Sequence, residues 1–373
     1  MFGNFVTGTA ILAPAGMLGE LSSGLGVAIR DAGLLITFGA VVLCIASPAT
    51  AWLTSRIERR KLLAITLAVL ALTNIGSAFA PSYASLLAIR LIMLTVAALY
   101  TPQAAGAAAL MVPAEKRGGI IGYIFLGWTL AAAVGLPLVT FIASRYGWHA
   151  SYGAIGVAAC IGFVLLAWRL PGGLLGAPVD LKTWLDVGQN RLIVLLLLIT
   201  TLQISGQFVV FTYMGPLLSR LTRADSDVVG LVFVIYGACG FVGNLIATRL
   251  VDSWGGYRTS LLAVSALLAG VAIWALGAGN LAIMAFAVAV WGLGFGSTNS
   301  MQQVRLVGAA PAFGGISVSL NTSALYVGQA IGSAAGGALF ARDLWYAAGY
   351  VAVGFIALAL TAVILTGPPR TGS

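Results

Sequence analysis

Charges in this chain arrive at intervals, and between them lie unbroken apolar blocks of about twenty residues. A helix rises about 1.5 Å per residue, so such a block spans a hydrocarbon core of about 30 Å. Lipid offers no partner for backbone N–H and C=O groups, and a helix satisfies them within one segment. A membrane barrel would instead show strands of about ten residues with alternating polarity. The expected fold class is therefore an all-α polytopic membrane protein. Composition agrees. Only 8% of the 373 residues are charged, against about 25% in soluble chains, too few to cover a soluble core. A 60% hydrophobic content excludes disorder. The 48 glycines have no three-residue period, which excludes collagen.

Twelve blocks qualify as spans: 1–19, 32–54, 62–80, 84–112, 118–143, 147–168, 192–218, 228–251, 259–278, 281–304, 314–341 and 344–367. No basic residue precedes the first, which argues against a secretory leader. An even count puts both termini on one side. If that side is the cytoplasm, 13 of the 19 Lys and Arg lie inside, 5 lie outside, and Arg90 lies within a span. This bias follows the positive-inside rule. The net charge of +9 is then topological. Nucleic-acid binding would need a concentrated basic patch, and none is present.

Residues 169–191 form the longest charged interruption, with a Pro-Gly pair. It divides the chain into an N-terminal six-helix bundle (1–168), a cytoplasmic linker (169–191) and a C-terminal six-helix bundle (192–373). An internal repeat supports the division. Ser55-Arg56-Ile57-Glu58-Arg59-Arg60 follows span two, and Asp252-Ser253-Trp254-Gly255-Gly256-Tyr257-Arg258 follows span eight, an offset of 197. Gly118-Gly119-Ile120 opens span five and Gly314-Gly315-Ile316 opens span eleven, an offset of 196. Parallel six-helix repeats are a known transporter plan.

These residues carry a family resemblance over essentially the whole chain. It resembles a major facilitator superfamily transporter, in the drug/proton antiporter branch that includes sugar and drug efflux permeases. The family's loop motif is G-x-x-x-D-R-x-G-R-R. Its second copy keeps Asp252, Gly255 and Arg258. The first keeps Arg56, Arg59 and Arg60, with Ser55 at the usual Asp and Glu58 at the usual Gly. The resemblance implies a gating role for this motif. Arg90-Leu91 matches the family's span-four motif. Gly127, Gly135 and Pro137 match part of its span-five antiporter motif, which implies proton exchange. It further implies a bacterial inner membrane, no cofactor or metal, and a monomer that meets lipid, a small-molecule substrate and protons.

Arg90 is the one charge clearly inside a span. Placing it there costs about 2.5–3.5 kcal/mol on insertion scales. Two roles stay open: coupling or substrate contact, and snorkelling of its head group to water at the outer end of span four. The cluster Arg56, Arg59, Arg60 and Lys61 either gates or anchors orientation. Asp252, between Arg249 and Arg258, suggests a latch, with an exposed pair worth under about 1 kcal/mol as the plainer reading. Gly328, Gly332 and Gly336 share one face of span eleven and read as packing residues. The Gly292, Gly294, Gly296 run lacks the Lys-Ser/Thr of a nucleotide loop.

Polar residues within spans mark a cavity, because unpaired polar groups are costly in lipid. The candidates are Tyr100 and Gln103 in span four, Gln203, Gln207 and Tyr213 in span seven, Asn299, Gln302 and Gln303 in span ten, and Asn321 and Gln329 in span eleven. By the family plan, spans one, four, seven and ten line a central path between the halves. A cavity of amides, hydroxyls and aromatics suits a sugar, nucleoside or amphiphilic drug.

No carboxylate falls at mid-membrane on these spans. Glu20 and Asp31 lie nearest and read as loop charges. Proton antiport therefore rests on the resemblance. An uncoupled facilitator or importer, and a non-transporting membrane sensor, stay open. A membrane enzyme would need clustered His, Asp or Cys. His149 is the only histidine, and Cys44, Cys160 and Cys239 lie apart within spans, reading as small packing residues. Loss of transport with normal insertion is expected for Arg90→Ala and Asp252→Asn.

Overall fold

In the computed structural model, residues 1–54, 56–113, 117–175, 189–309 and 314–367 are described. Every regular element among them is helical. Two units divide the chain, Met1–Val179 and Asp180–Ser373.

The first unit holds α1 (Phe2–Gly16), α2 (Leu18–Leu25), α3 (Ile29–Leu53), α4 (Arg59–Ala78), α5 (Tyr83–Leu110), α6 (Arg117–Leu130) and α7 (Leu136–Arg169). A π turn over Ala131–Gly135 joins α6 to α7. Ser82 and Ser85 form a reciprocal capping box at the start of α5, satisfying donors that the first turn leaves open. Within α7 the chain turns at Gly147, whose φ of 82° favours a residue without Cβ. The Ser151 hydroxyl donates to the Val139 carbonyl at 3.1 Å, so the two arms lie side by side.

The second unit holds α8 (Arg191–Phe211), α9 (Met214–Thr222), α10 (Ser226–Leu276), α11 (Leu281–Ala309), α12 (Gly314–Phe340) and α13 (Ala347–Thr366). Asn190 caps α8 and Asp225 caps α10 with side-chain oxygens. α10 turns at Gly255, with φ 75°. The glycine that the loop motif retains is thus the left-handed turn between two spans.

Nine helices among the described residues are long and apolar enough to cross a membrane, ten if bent α1–α2 counts as one. One of the nine, the 44-residue Leu126–Arg169, turns at Gly147 and so holds two spans. α12, of 27 residues, completes the expected twelve.

Besides span five with its π turn, two expected spans are not single helices. Span one bends by 64° between α1 and α2. Pro14 explains this, because it has no N–H for the Ala10 carbonyl and its ring crowds that group. Span seven stops at Phe211 and restarts at Met214. Pro216 lies in the first turn of α9, where its missing N–H costs nothing. These breaks repeat at the same offset. The Met17 N–H bonds the Pro14 carbonyl, and 196 residues on the Tyr213 N–H bonds the Val210 carbonyl. Ser22 Oγ bonds the Val27 carbonyl at 2.7 Å, and 197 residues on Ser219 Oγ bonds the Ala224 carbonyl at 2.9 Å.

Gly328, Gly332 and Gly336 pack as expected. A Cβ on each would overlap the backbone carbonyl of Thr201, Ser205 or Val209 in α8, so the stripe sets how closely α8 and α12 approach.

Candidate functional site

In the first unit, polar groups gather around α1. Asn4 is buried; its amide donates to the Ile124 carbonyl at 2.9 Å and its oxygen accepts from Thr101 at 2.6 Å. Trp128 Nε1 donates onward to Thr101 Oγ1 at 3.0 Å. One chain of bonds therefore ties α1, α5 and α6. Tyr100, also in α5, is buried with its hydroxyl against Gly3, where a Cβ would overlap it. Gly127 lies against the Met1 carbonyl and Asn4, and Gly135 against Thr9. These two motif glycines let α1 approach the π turn that Pro137 follows. Gln103 is buried.

Arg90 is 1% exposed, so it does not snorkel to water. Its Nη1 bonds the Ala10 carbonyl and its Nη2 the Ile11 carbonyl, both at 3.2 Å. Nη1 also lies 3.5 Å from the Tyr152 hydroxyl, and the guanidinium sits 6.0 Å from that ring's centre. Arg90 is thus held by backbone oxygens and a phenol.

The second unit carries its polar groups along one face of α8. Thr200, Gln203 and Gln207 are spaced i, i+3, i+7 and share that face. At the first level, Thr200 Oγ1 donates to Asn321 Oδ1 at 2.6 Å and Asn321 Nδ2 to Asn299 Oδ1 at 3.1 Å. Gln302 Nε2 reaches the Leu196 carbonyl at 2.9 Å. At the third level, Trp291 Nε1 donates to Gln207 Oε1 at 3.1 Å. Tyr236 and Phe211 pack edgewise on Trp291, with centroids 5.2 and 6.5 Å away. Between these levels Gln203 is wholly buried and neither amide atom has a protein partner. Gln207 Nε2 and Gln302 Oε1 are likewise buried without one. An unmade buried hydrogen bond costs about 1–3 kcal/mol. Tyr213 stacks on Phe340 at 5.5 Å, and Gln329 is buried.

The two loop-motif copies differ. In the first, Arg59 N–H bonds the Leu174 carbonyl at 2.9 Å, Arg60 Nη2 bonds the Ala167 carbonyl at 2.6 Å, and Glu58 Oε1 accepts from Gly173 N–H at 2.7 Å. The loop after span two is thus tied to the chain leaving span six, and Glu58 takes part in the tie. Arg56 is exposed, and so are Arg249 and Arg258. The Asp252 side chain lies outside the described residues.

Sequence reasoning picked the amides but missed Asn4, Thr101, Trp128, Thr200 and Trp291. Asn4 was legible as a lone amide in an apolar block, and Thr200 by its helical spacing with Gln203 and Gln207. Trp291 has no such signal, since tryptophan is common in membrane helices. No described carboxylate is buried, and no group of His, Cys, Asp and Glu among the described residues could hold a metal ion.

Comparison with known proteins places these features in a family. The profile described as Major Facilitator Superfamily matches residues 1–313 and 196–373. The inner membrane transport protein YdhP of Escherichia coli is 30% identical over 346 residues, 92% of this chain and 88% of that protein. A probable sugar efflux transporter of Mannheimia succiniciproducens is 28% identical over 275 residues, 74% of this chain and 67% of that protein. Among solved structures, a D-xylose-proton symporter matches with a TM-score of 0.77 at 17% identity, covering 100% of this chain and 97% of that one. A nucleoside transporter matches with a TM-score of 0.73 at 16% identity, covering 98% of each. Matched by the family profile from end to end, the chain belongs to the Major Facilitator Superfamily: it is a multi-pass membrane transporter and not an enzyme.

Proposed function

We propose that the chain exports a small neutral or amphiphilic solute, a sugar, nucleoside or drug, by alternating access and in exchange for protons. Residues 1–168 and 192–373 act as the two bundles, both termini are cytoplasmic, and the working unit is a monomer in a bacterial inner membrane. The observation that carries the reading is Gln203, an amide wholly buried with both polar atoms unpartnered. A group left this way at a cost of about 1–3 kcal/mol is kept for a partner that comes and goes. Its neighbours Gln207, Gln302 and Thr200 are neutral, which suits hydroxyls better than a charged solute. Export is supported by the sugar efflux relative. Proton exchange is supported by the antiporter-like Gly127 and Gly135, packed on α1, and by Pro137 just after them.

One observation favours an uncoupled facilitator instead: no described carboxylate is buried, so none of those described is an obvious proton carrier. Purified protein in liposomes with an imposed pH gradient separates the two. Solute movement that follows the gradient supports antiport. Equal movement with and without it supports the facilitator. No movement of any sugar, nucleoside or drug identified by thermal-shift screening sinks both.

A further inference from the structure

Span one contains a break that its own backbone cannot satisfy. In a straight helix the Ala10 carbonyl would accept from the N–H of residue 14, but residue 14 is proline. The Ala10 carbonyl, in a buried residue, thereby loses its i+4 donor, and Arg90 from α5 supplies one at 3.2 Å. The same guanidinium takes the neighbouring Ile11 carbonyl at 3.2 Å. Beyond the break, the Gly16 carbonyl is bonded by Thr140 Oγ1 at 2.7 Å.

The far side of the break is held by the same group of residues. Tyr152 meets Arg90 through its hydroxyl and meets Trp148 edge-on at 6.1 Å. The Trp148 indole nitrogen lies where a Cβ on Gly24 of α2 would fall. A continuous path therefore runs from the freed Ala10 carbonyl through Arg90, Tyr152 and Trp148 to the outer arm α2. At the equivalent break in span seven the residue matching Pro14 is Val210, and Gly336 stands at the position of Thr140. Phe286 stands at the position of Arg90, so the residues of this polar clamp are not repeated in the second unit.

We propose that Arg90 is a positioning residue: it clamps the Pro14 hinge of span one and sets the angle of the outer arm Leu18–Leu25. Its charge suits the task, because a charge-assisted bond to a carbonyl is about twice as strong as a neutral one. Two donors on one rigid planar group hold two successive carbonyls at once, a geometry that the single nitrogen of lysine on its flexible stem does not preset. The hinge and its clamp belong to the transporter fold whatever the solute, so the inference does not depend on the proposed direction or coupling.

The test is a double-mutant cycle on the purified full-length protein in detergent, with Arg90→Met, Arg90→Lys, Pro14→Ala and Pro14→Ala/Arg90→Met. Hydrogen exchange of peptides covering residues 8–25 and thermal unfolding are measured without any solute. Arg90→Met is expected to speed exchange across 8–25 at least about tenfold, the effect of one lost charge-assisted bond. Arg90→Lys falls between it and the wild type. The Pro14→Ala substitution restores an N–H to the Ala10 carbonyl, so Arg90→Met in that background changes exchange little. Equal effects of Arg90→Met in the wild-type and Pro14→Ala backgrounds would overturn the proposal. If Arg90→Met alone does not fold, recovery of folded protein in the double variant supports the clamp, and continued failure to fold overturns it.

Discussion

Gly26 and Arg223 lie 197 residues apart and end the second arms of the two broken spans with the same left-handed backbone, φ 64° and 59°. One is a glycine, which adopts that conformation freely. The other carries a side chain that does not. The internal repeat thus reaches individual dihedral angles, while the residues that fill them have diverged.

Arg223→Gly is therefore expected to raise stability by about 1 kcal/mol, and Gly26→Ala to lower it by a similar amount. Thermal unfolding of the purified variants reads both. Destabilisation by Arg223→Gly would show that the arginine side chain makes contacts that outweigh the strain.

Gly332→Ala is expected to cost about 1–3 kcal/mol, because its Cβ meets the backbone oxygen of Ser205 and the helices must separate. Gly354→Ala in α13 meets nothing within 4 Å and serves as a control that is neutral or stabilising. Equal melting temperatures for the two variants would count against a stripe that sets the α8–α12 distance.

Gln203→Leu separates a structural role from a functional one. It removes two unpartnered buried polar atoms, so unfolding is expected at higher temperature, with a gain of about 1–3 kcal/mol. Solute movement in liposomes is expected to fall about tenfold, the rate equivalent of one hydrogen bond. A variant that is more stable and transports normally would remove Gln203 from the proposed path.

Thr101→Val keeps shape and deletes the hydroxyl that joins Asn4 to Trp128. Leaving both partners unsatisfied costs about 2 kcal/mol or more, measurable as a lower melting temperature. Thr95→Val on the same helix is the comparison, since Thr95 is exposed and bonds its own helix; its effect should stay within about 0.5 kcal/mol.

Fold class, span count and the repeated half were legible in the residues, because apolar length and charge spacing are local properties that act through one solvent, the lipid. The same holds for the glycine stripe on α12, whereas Gly255 was visible only as part of a gating motif and the structure showed it to be a left-handed turn. Breaks in spans one and seven were written less plainly. Pro14 and Pro216 were visible, yet proline is tolerated in membrane helices, so its presence alone did not locate a bend. What occupies each polar group was not legible at all. Arg90 meets carbonyls 79 and 80 residues away, Gln207 meets an indole 84 residues away, and the Gln203 amide has no hydrogen-bond partner in the protein. The sequence by itself determined that this chain lies in a membrane as two related sets of helices. Only the tertiary structure decided which buried polar groups are satisfied, because a hydrogen bond closes at about 3 Å between segments whose approach no local pattern records.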